Sequence, residues 1–478
     1  MEHRRVSTGI DGLDEVTEGG FPEGSLILLA GNPGTGKTVF SSQFLAKGAM
    51  LNEPALYASF AESKETLVKN LSRHLHYDFG ELDSEGKLKI LDFTAVKEEA
   101  VSIILKEILA ETQAMNAKRL VIDSFSAMAQ AFKETTDVRI VVHTVLSKIV
   151  RQMGCTTIMI EEIPIGESRI GWGVEEFVAD GVIKLEAKQL DGRPLRDLDI
   201  IKLRGTRLGE RQLLFTLEGG FKVFPPFKPK SIKESKRFQE IKDSPTHLST
   251  GSRDLDKMLS GGLPRGTTVL LDLDERTATT EYHLLVMTLA ANFAACGRGI
   301  WVLPTSGVDY SMLEKLALRY GFTEKEFRNL VLVSDFQKGL PDEEEKPNLI
   351  LLKSRSAERD FHIHEKAIER LANRLGQPVL TIAGMDSLIN AYGENKTERV
   401  LNLGITRTRS HGSVALFIVK AGHEGLVKRT AALVDIYLKL TREHGSMLLY
   451  GVKPRTGLYA VEMDTSEGYP MPRLTPIV

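Results

Sequence analysis

The chain has 478 residues, too long for one ordinary core and suited to two domains of about 220–250 residues each. With 42% hydrophobic and 26% charged residues it reads as a soluble globular protein, and its net charge of −2 excludes a global pull towards nucleic acid or anionic membrane. Cys155 and Cys296 are too few for a disulfide framework and read as core thiols in a reducing cytoplasm; the start MEHRRVSTG carries no apolar leader, and no run of about 18 apolar residues predicts a membrane span.

In chain order, a turn-rich segment STGIDGLDEVTEGGFPEG, Ser7 to Gly24, leads into an apolar strand over Leu26–Ala30. GNPGTGKT follows at once, matching G-x-x-x-x-G-K-[ST] in full. Its residues Gly31, Asn32, Pro33, Gly34, Thr35, Gly36, Lys37 and Thr38, with Val39 beyond, form a candidate phosphate cradle. The glycines let successive backbone N–H groups turn towards phosphate oxygens, and a helix over Thr38–Met50 aims its positive end at the same place. Lys37 would meet the β- and γ-phosphates of ATP, and Thr38 would offer a hydroxyl to Mg²⁺.

A strand over Ala55–Phe60 places Glu62 at the carboxyl end of the sheet, where α/β ligands bind; a helix over Ser63–Leu75 follows. Next come a strand over Leu88–Leu91, a helix over Glu98–Asn116 and a strand Leu120–Asp123, whose terminal Asp123 is the candidate second Mg²⁺ partner of Thr38. A helix over Val138–Met153 and a strand Thr156–Ile160 lead to Glu161 and Glu162. These two rival Glu62, the preferred choice, as the carboxylate that activates water. Alternating strands and helices predict an α/β fold, a mainly parallel sheet with helices on both faces. Beyond Asp180, short β segments over Val182–Leu185, Leu198–Leu203 and Gln212–Thr216 predict an antiparallel extension.

Residues 228–246 read as a polar, lysine-bearing connector between domains at 1–227 and 247–478. The second domain opens on STGSRDLDKMLSGGLPRG, Ser249 to Gly266, which aligns with Ser7–Gly24 without a gap. The same register sets Leu273 to Thr280, LDERTATT, opposite GNPGTGKT: the glycines are gone, Thr279 replaces the lysine, and Asp274 and Glu275 would repel a polyanion. Around Trp301–Gly307 no carboxylate replaces Glu62, the nearest residues being Thr305 and Ser306, and Asp386 is an ambiguous match for Asp123. This half reads as a structural or regulatory pseudo-ATPase. His362 and His364 form an H-x-H pair with no cysteine partner, expected at the surface without a metal.

STGIDGLDEVTEGGFPEG, GNPGTGKT, YASFAES, LVIDSF, GVEEFVADGVIKLE and IKLRGTR, in this order, resemble the KaiC-like branch of the RecA superfamily. The resemblance implies two tandem RecA-like P-loop domains, the second degenerate, assembled into homohexameric rings with ATP between subunits. It implies that Glu62 is catalytic, FAE standing where the family usually has FEE, so that Ala61 replaces the first of the pair. It also implies that Lys202 and Arg204, in the KLRG segment, reach the neighbour's γ-phosphate. The expected activity is Mg²⁺-dependent ATP hydrolysis in the cytoplasm, with regulation or signalling through an unidentified protein partner. The rival reading, a recombinase-like DNA-binding ATPase, finds no basic surplus and no aromatic–basic interleaving to support it. Autophosphorylation is disfavoured by the missing second nucleotide loop.

Overall fold

The computed structural model describes residues 4–75, 77–94, 101–129, 148–167, 170, 178–336, 346–352 and 356–478. Residues 98–100 and 138–147 of two expected helices, and 173–177 of the GVEEFVADGVIKLE segment, lie outside them. The chain divides into two compact units: one runs to Pro226 and takes in His444–Ser446 and Pro476–Val478, the other comprises Phe227–Glu443 with Met447–Thr475.

In the first unit, β1 (Leu26–Gly31) leads to α1 (Lys37–Met50), β2 (Ala55–Ser59), α2 (Lys64–His74), α3 (Phe79–Ser84), β3 (Leu88–Asp92), α4 (Val101–Ala114), β4 (Arg119–Asp123) and β5 (Thr156–Glu162). Then come β6 (Gly181–Leu190), β7 (Arg193–Leu203), β8 (Gln212–Thr216) and β9 (Lys222–Phe224). The sheet order is β9-β8-β7-β6-β1-β5-β4-β2-β3. β1 pairs parallel with both β5 and β6, whereas β6 to β9 form the antiparallel extension. β1 is buried along its length because both faces are covered: Ile27 and Leu29 enter one apolar cluster, Leu26, Leu28 and Ala30 another. The α/β architecture, mainly parallel with an antiparallel extension, is as expected.

Particular elements differ from the expectation. α3 is additional, opened by Asp78, whose carboxylate accepts from the backbone N–H groups of Gly80 and Glu81. β6 and β7 form a longer hairpin than the short segments predicted, because Asp191 and Gly192 both take positive φ (49° and 67°) at its tip.

The second unit repeats the plan with β10 (Thr268–Leu273), α5 (Thr279–Ala295), β11 (Ile300–Leu303), α6 (Tyr310–Arg319), α7 (Glu324–Leu330), β12 (Val331–Asp335) and β13 (Leu349–Leu351). It continues through α8 (Ala357–Leu375), β14 (Leu380–Gly384), α9 (Met385–Tyr392), α10 (Glu394–His411), β15 (Val414–Val419) and α11 (Glu424–Leu433). It ends in β16 (Ile436–Glu443), β17 (Ser446–Lys453), β18 (Leu458–Asp464) and β19 (Met471–Pro476). Its order, β13-β12-β11-β14-β15-β10-β16-β17-β18-β19, matches the first sheet with one strand added at the β13 edge.

The repeat is visible at the level of single bonds. The Asp14 carboxylate accepts from the Ser7 and Thr8 hydroxyls at 2.7 and 2.6 Å; Asp256 does the same for Ser249 and Thr250 at 2.5 and 2.6 Å. Leu26 N–H donates to Asp180 at 3.1 Å, and Thr268 N–H to Asp435 at 2.9 Å.

The stretch expected as a solvated connector is instead strapped to the second unit. Phe238 is buried against Tyr320 and Tyr469, its N–H bonds the Tyr320 carbonyl at 2.9 Å, and Arg237 pairs with Glu326 at 2.7 Å. Burial of one aromatic side chain outweighs the polarity of its neighbours.

Candidate functional site

The 31–36 loop joins two elements whose positions are set by the sheet. Gly31 ends β1 so close to its neighbours that a Cβ there would sit 2.7 Å from both the Leu185 carbonyl oxygen and Thr35 Oγ1. Gly34 and Gly36 take φ of 77° and 93°, conformations that L side chains disfavour. Around Gly34 the space is open, with no heavy atom within 4 Å of a built Cβ. Thr35 Oγ1 donates to the Asn32 carbonyl at 2.8 Å, and Asn32 Nδ2 donates to the Ile163 and Pro164 carbonyls at 3.0 and 3.2 Å. Pro33 completes the loop and Val39 follows in the first turn of α1.

Lys37 is 6% exposed, and its Nζ donates to the Gly31 and Asn32 carbonyls at 2.9 and 3.0 Å. Burial lowers its pKa, against the opposing fields of Glu162, Asp123 and Glu161. Thr38 Oγ1 donates to Asp123 Oδ2 at 3.0 Å, and the Tyr57 hydroxyl donates to the same oxygen at 2.5 Å. Burial raises the Asp123 pKa, while Tyr57, Thr38 and Lys37 act to lower it. The structure therefore brings Lys37, Thr38 and Asp123 to one place from α1 and β4. Thr38 and Asp123 present hard oxygen donors of the kind Mg²⁺ takes, so the donor set fits that ion.

Glu62 stands just after β2, exposed, with Oε2 accepting from Asn70 Nδ2 at 3.2 Å. Its field reaches the buried Tyr57 phenol, and Tyr57 in turn touches Asp123. Glu161 and Glu162 end β5, where the ladder sets them beside Ala30 and Gly31. Both act on Lys37, so they remain close rivals of Glu62.

Lys202 and Arg204 lie elsewhere. Leu203 pairs with Gly181, which pairs with Ile27 at the amino end of β1, whereas the loop leaves the carboxyl end. At about 3.3 Å per residue, the four residues from Ile27 to Gly31 span about 13 Å along the strand, beyond the reach of either side chain. Lys202 Nζ is turned to the Ala179 carbonyl at 2.7 Å and Arg204 to Asp180 at 3.4 Å. Arg196 of β7 does approach this loop, its Nη1 3.2 Å from the Gly34 carbonyl. Sequence reasoning missed it, because no motif marks it; the only available signal was its place on a strand flanking β6.

In the second unit the pairing resolves the ambiguous register. Arg119 and Leu380 hold equivalent ladder positions, as do Thr157 and Ala415. Counting forward, Gly384 takes the place of Asp123, Val419 that of Glu161 and Lys420 that of Glu162. Asp386 lies two residues further on and accepts from Ser306 N–H at 2.9 Å. The LDERTATT loop closes on itself: Asp274 Oδ1 accepts from the Arg276 backbone N–H at 2.8 Å and Nε at 3.1 Å. These bonds hold the Asp274 pKa down at about 2. The expected bare repulsion by Asp274 is thus corrected, since Arg276 neutralises it, although Glu275 is exposed. Glu281, 4% exposed, receives the Ala278 N–H at 2.8 Å and occupies the positive end of α5.

The histidine pair is also corrected. His362 is exposed, but His364 is buried, 4.6 Å from the Trp301 ring, because neighbours two apart on a helix face different ways. Among the described residues no group of three His, Cys, Asp or Glu could hold a metal, and no helix is long and apolar enough to cross a membrane. Cys155 is buried, its thiol pushed up to about 12, whereas Cys296 is only half-buried.

The family described as ATPase: KaiC matches residues 6–227. The circadian clock oscillator protein KaiC of Synechococcus elongatus is 31% identical over 424 residues, 84% of this chain and 77% of its own length. KaiC of Thermosynechococcus vestitus is 31% identical over 278 residues, 56% of this chain and 52% of its own, so the match spans about half the length of such relatives. A solved KaiC-like protein from Pyrococcus horikoshii is 39% identical, covering 47% of this chain and 100% of its own, with a TM-score of 0.42.

Proposed function

Because the chain belongs to the KaiC family of ATPases, we propose that its first unit binds and hydrolyses Mg²⁺-ATP in a ring whose nucleotides lie between neighbouring copies. The observation that carries the reading is the convergence of Lys37, Thr38 and Asp123 at the mouth of a glycine loop. Backbone N–H groups from Gly34 to Thr38 would hold phosphate oxygens, and Lys37 would exchange its two carbonyl partners for the β- and γ-phosphates. Thr38 and Asp123 would hold Mg²⁺, which would supply charge neutralisation. Glu62 would orient the attacking water, with Glu161 and Glu162 as the alternatives.

The shared site is supported by Lys202 and Arg204 being too far along β1 to serve their own loop. A cation delivered to another copy's phosphate couples hydrolysis to assembly and is worth roughly 10³–10⁵ in rate. The assembly we propose is a cytoplasmic homohexamer, regulatory or signalling through a protein partner. The second unit would be a non-catalytic tier, in keeping with Gly384, Val419 and its self-closed loop.

The test mixes two inactive chains. Lys37→Ala lacks the phosphate contact and Arg204→Ala lacks the finger, so their mixture should regain part of the parental ATPase rate. Proven subunit exchange with no recovery would rule out the shared site. Calorimetry should also count one Mg²⁺-ATP per chain.

A further inference from the structure

Tyr57 stands on β2, 1% exposed, in the apolar cluster that holds Ile27 and Leu29. The ladder pairs Ser59 with Asp123, so Tyr57, two residues earlier, lies on the same sheet face as Asp123 and diagonal to it. Its phenol donates to Asp123 Oδ2 at 2.5 Å, and Thr38 Oγ1 donates to that same oxygen at 3.0 Å. Neither bond uses Oδ1. With both donors on one oxygen, the carboxylate cannot turn about its Cβ–Cγ bond without giving up a charge-assisted bond. Oδ2 is thereby pinned, and Oδ1 is left for a cation or its water.

A buried phenol needs an acceptor, so the bond alone does not separate a packing role from a role at the site. The second unit does. Its ladder sets Val302 at the place of Tyr57 and Gly384 at that of Asp123, and Val302 is 6% exposed. An apolar side chain fills the position where no carboxylate stands diagonal to it. Packing at this point of the sheet therefore does not call for a phenol; the phenol accompanies the carboxylate.

We propose, resting on the Mg²⁺ site assigned to Thr38 and Asp123, that Tyr57 is a positioning residue for the divalent cation. Its phenol fixes the Asp123 carboxylate in the orientation from which that carboxylate and Thr38 hold the ion. Tyr57 acts through Asp123 and is assigned no contact with cation or nucleotide. Loss of its hydroxyl should raise the metal requirement of nucleotide binding, while sparing the contacts that the glycine loop and Lys37 make with phosphate.

The experiment uses the full chain, a non-hydrolysable ATP analogue and Mn²⁺, whose paramagnetism lets bound and free ion be counted by electron paramagnetic resonance. The parental chain should bind the analogue more tightly with Mn²⁺ than in EDTA. Tyr57→Phe keeps the ring and removes only the hydroxyl. It should need about ten- to a hundredfold more Mn²⁺ for half-occupancy, the usual cost of losing a partner that orients a metal ligand, with affinity for the analogue in EDTA within about twofold of the parent. A parental Mn²⁺ midpoint in Tyr57→Phe would overturn the assignment. So would an equal loss of affinity in EDTA, or loss of the melting transition, since either would make the phenol a general prop of the fold. A parental chain that binds the analogue equally well with Mn²⁺ and in EDTA would instead overturn the Mg²⁺ site itself.

Discussion

Replacing Gly31 by alanine tests whether the glycine loop is shaped by crowding as well as by backbone freedom. The new Cβ would lie 2.7 Å from the Leu185 carbonyl oxygen and 2.7 Å from Thr35 Oγ1. Neither neighbour can swing away as a long side chain would: one is backbone in β6, the other a short hydroxyl bonded to the Asn32 carbonyl. Overpacking of this kind costs about 1–3 kcal/mol. The strain falls on the residue whose carbonyl accepts from Lys37 Nζ at 2.9 Å, so it should reach the phosphate site. Gly31→Ala is expected to lose about 1–3 kcal/mol in urea unfolding of the first unit and at least about tenfold in ATP affinity by calorimetry. Gly34 is the contrast, since there the space is open and φ is 77°. Gly34→Val should cost roughly 1–2 kcal/mol through the backbone, and Gly34→Asn much less, because Asn tolerates the left-handed region. Parental stability and ATP affinity in Gly31→Ala would refute the crowding argument.

Glu62→Gln should leave ATP binding intact and slow hydrolysis by about 100-fold or more in a phosphate-release assay; a parental rate would shift the role to Glu161 or Glu162. Arg119 is fully buried, bonding the Ser7 and Phe44 carbonyls at 2.9 and 2.7 Å and Glu53 at 2.7 Å. Arg119→Met strands these acceptors and should cost about 3 kcal/mol in urea unfolding, and a loss under about 0.5 kcal/mol would contradict the clamp. His283 and His364 have folded pKa values lowered to about 4 by burial, below the ordinary 6.5. Protonation therefore favours the unfolded state: their contribution is complete above pH 6.5 and is lost as pH falls towards 4. Each is worth up to about 3 kcal/mol, and His364→Phe should flatten that part of the stability–pH profile.

The repeat, the glycine loop and the strand–helix alternation are legible in the residues alone, because each is written in contiguous positions. Ser7, Thr8 and Asp14 bond within one turn-rich segment, so their counterparts Ser249, Thr250 and Asp256 could be matched by eye. Lys37 and Thr38 follow their loop directly, and Asp123 ends a plainly apolar strand. What lay beyond local reading depends on which strands become neighbours. The ladder placed Gly384, and not Asp386, opposite Asp123's role, and only the β6–β7 pairing sets Lys202 and Arg204 at the far end of β1. Arg196 reaches Gly34 across 162 positions of chain, a contact no spacing rule announces. Phe238 and His364 looked like solvated residues until tertiary packing supplied Tyr320 and Trp301 to bury them. Burial is a property of what the fold brings alongside a side chain, and a single sequence holds it only through the whole set of long-range pairings.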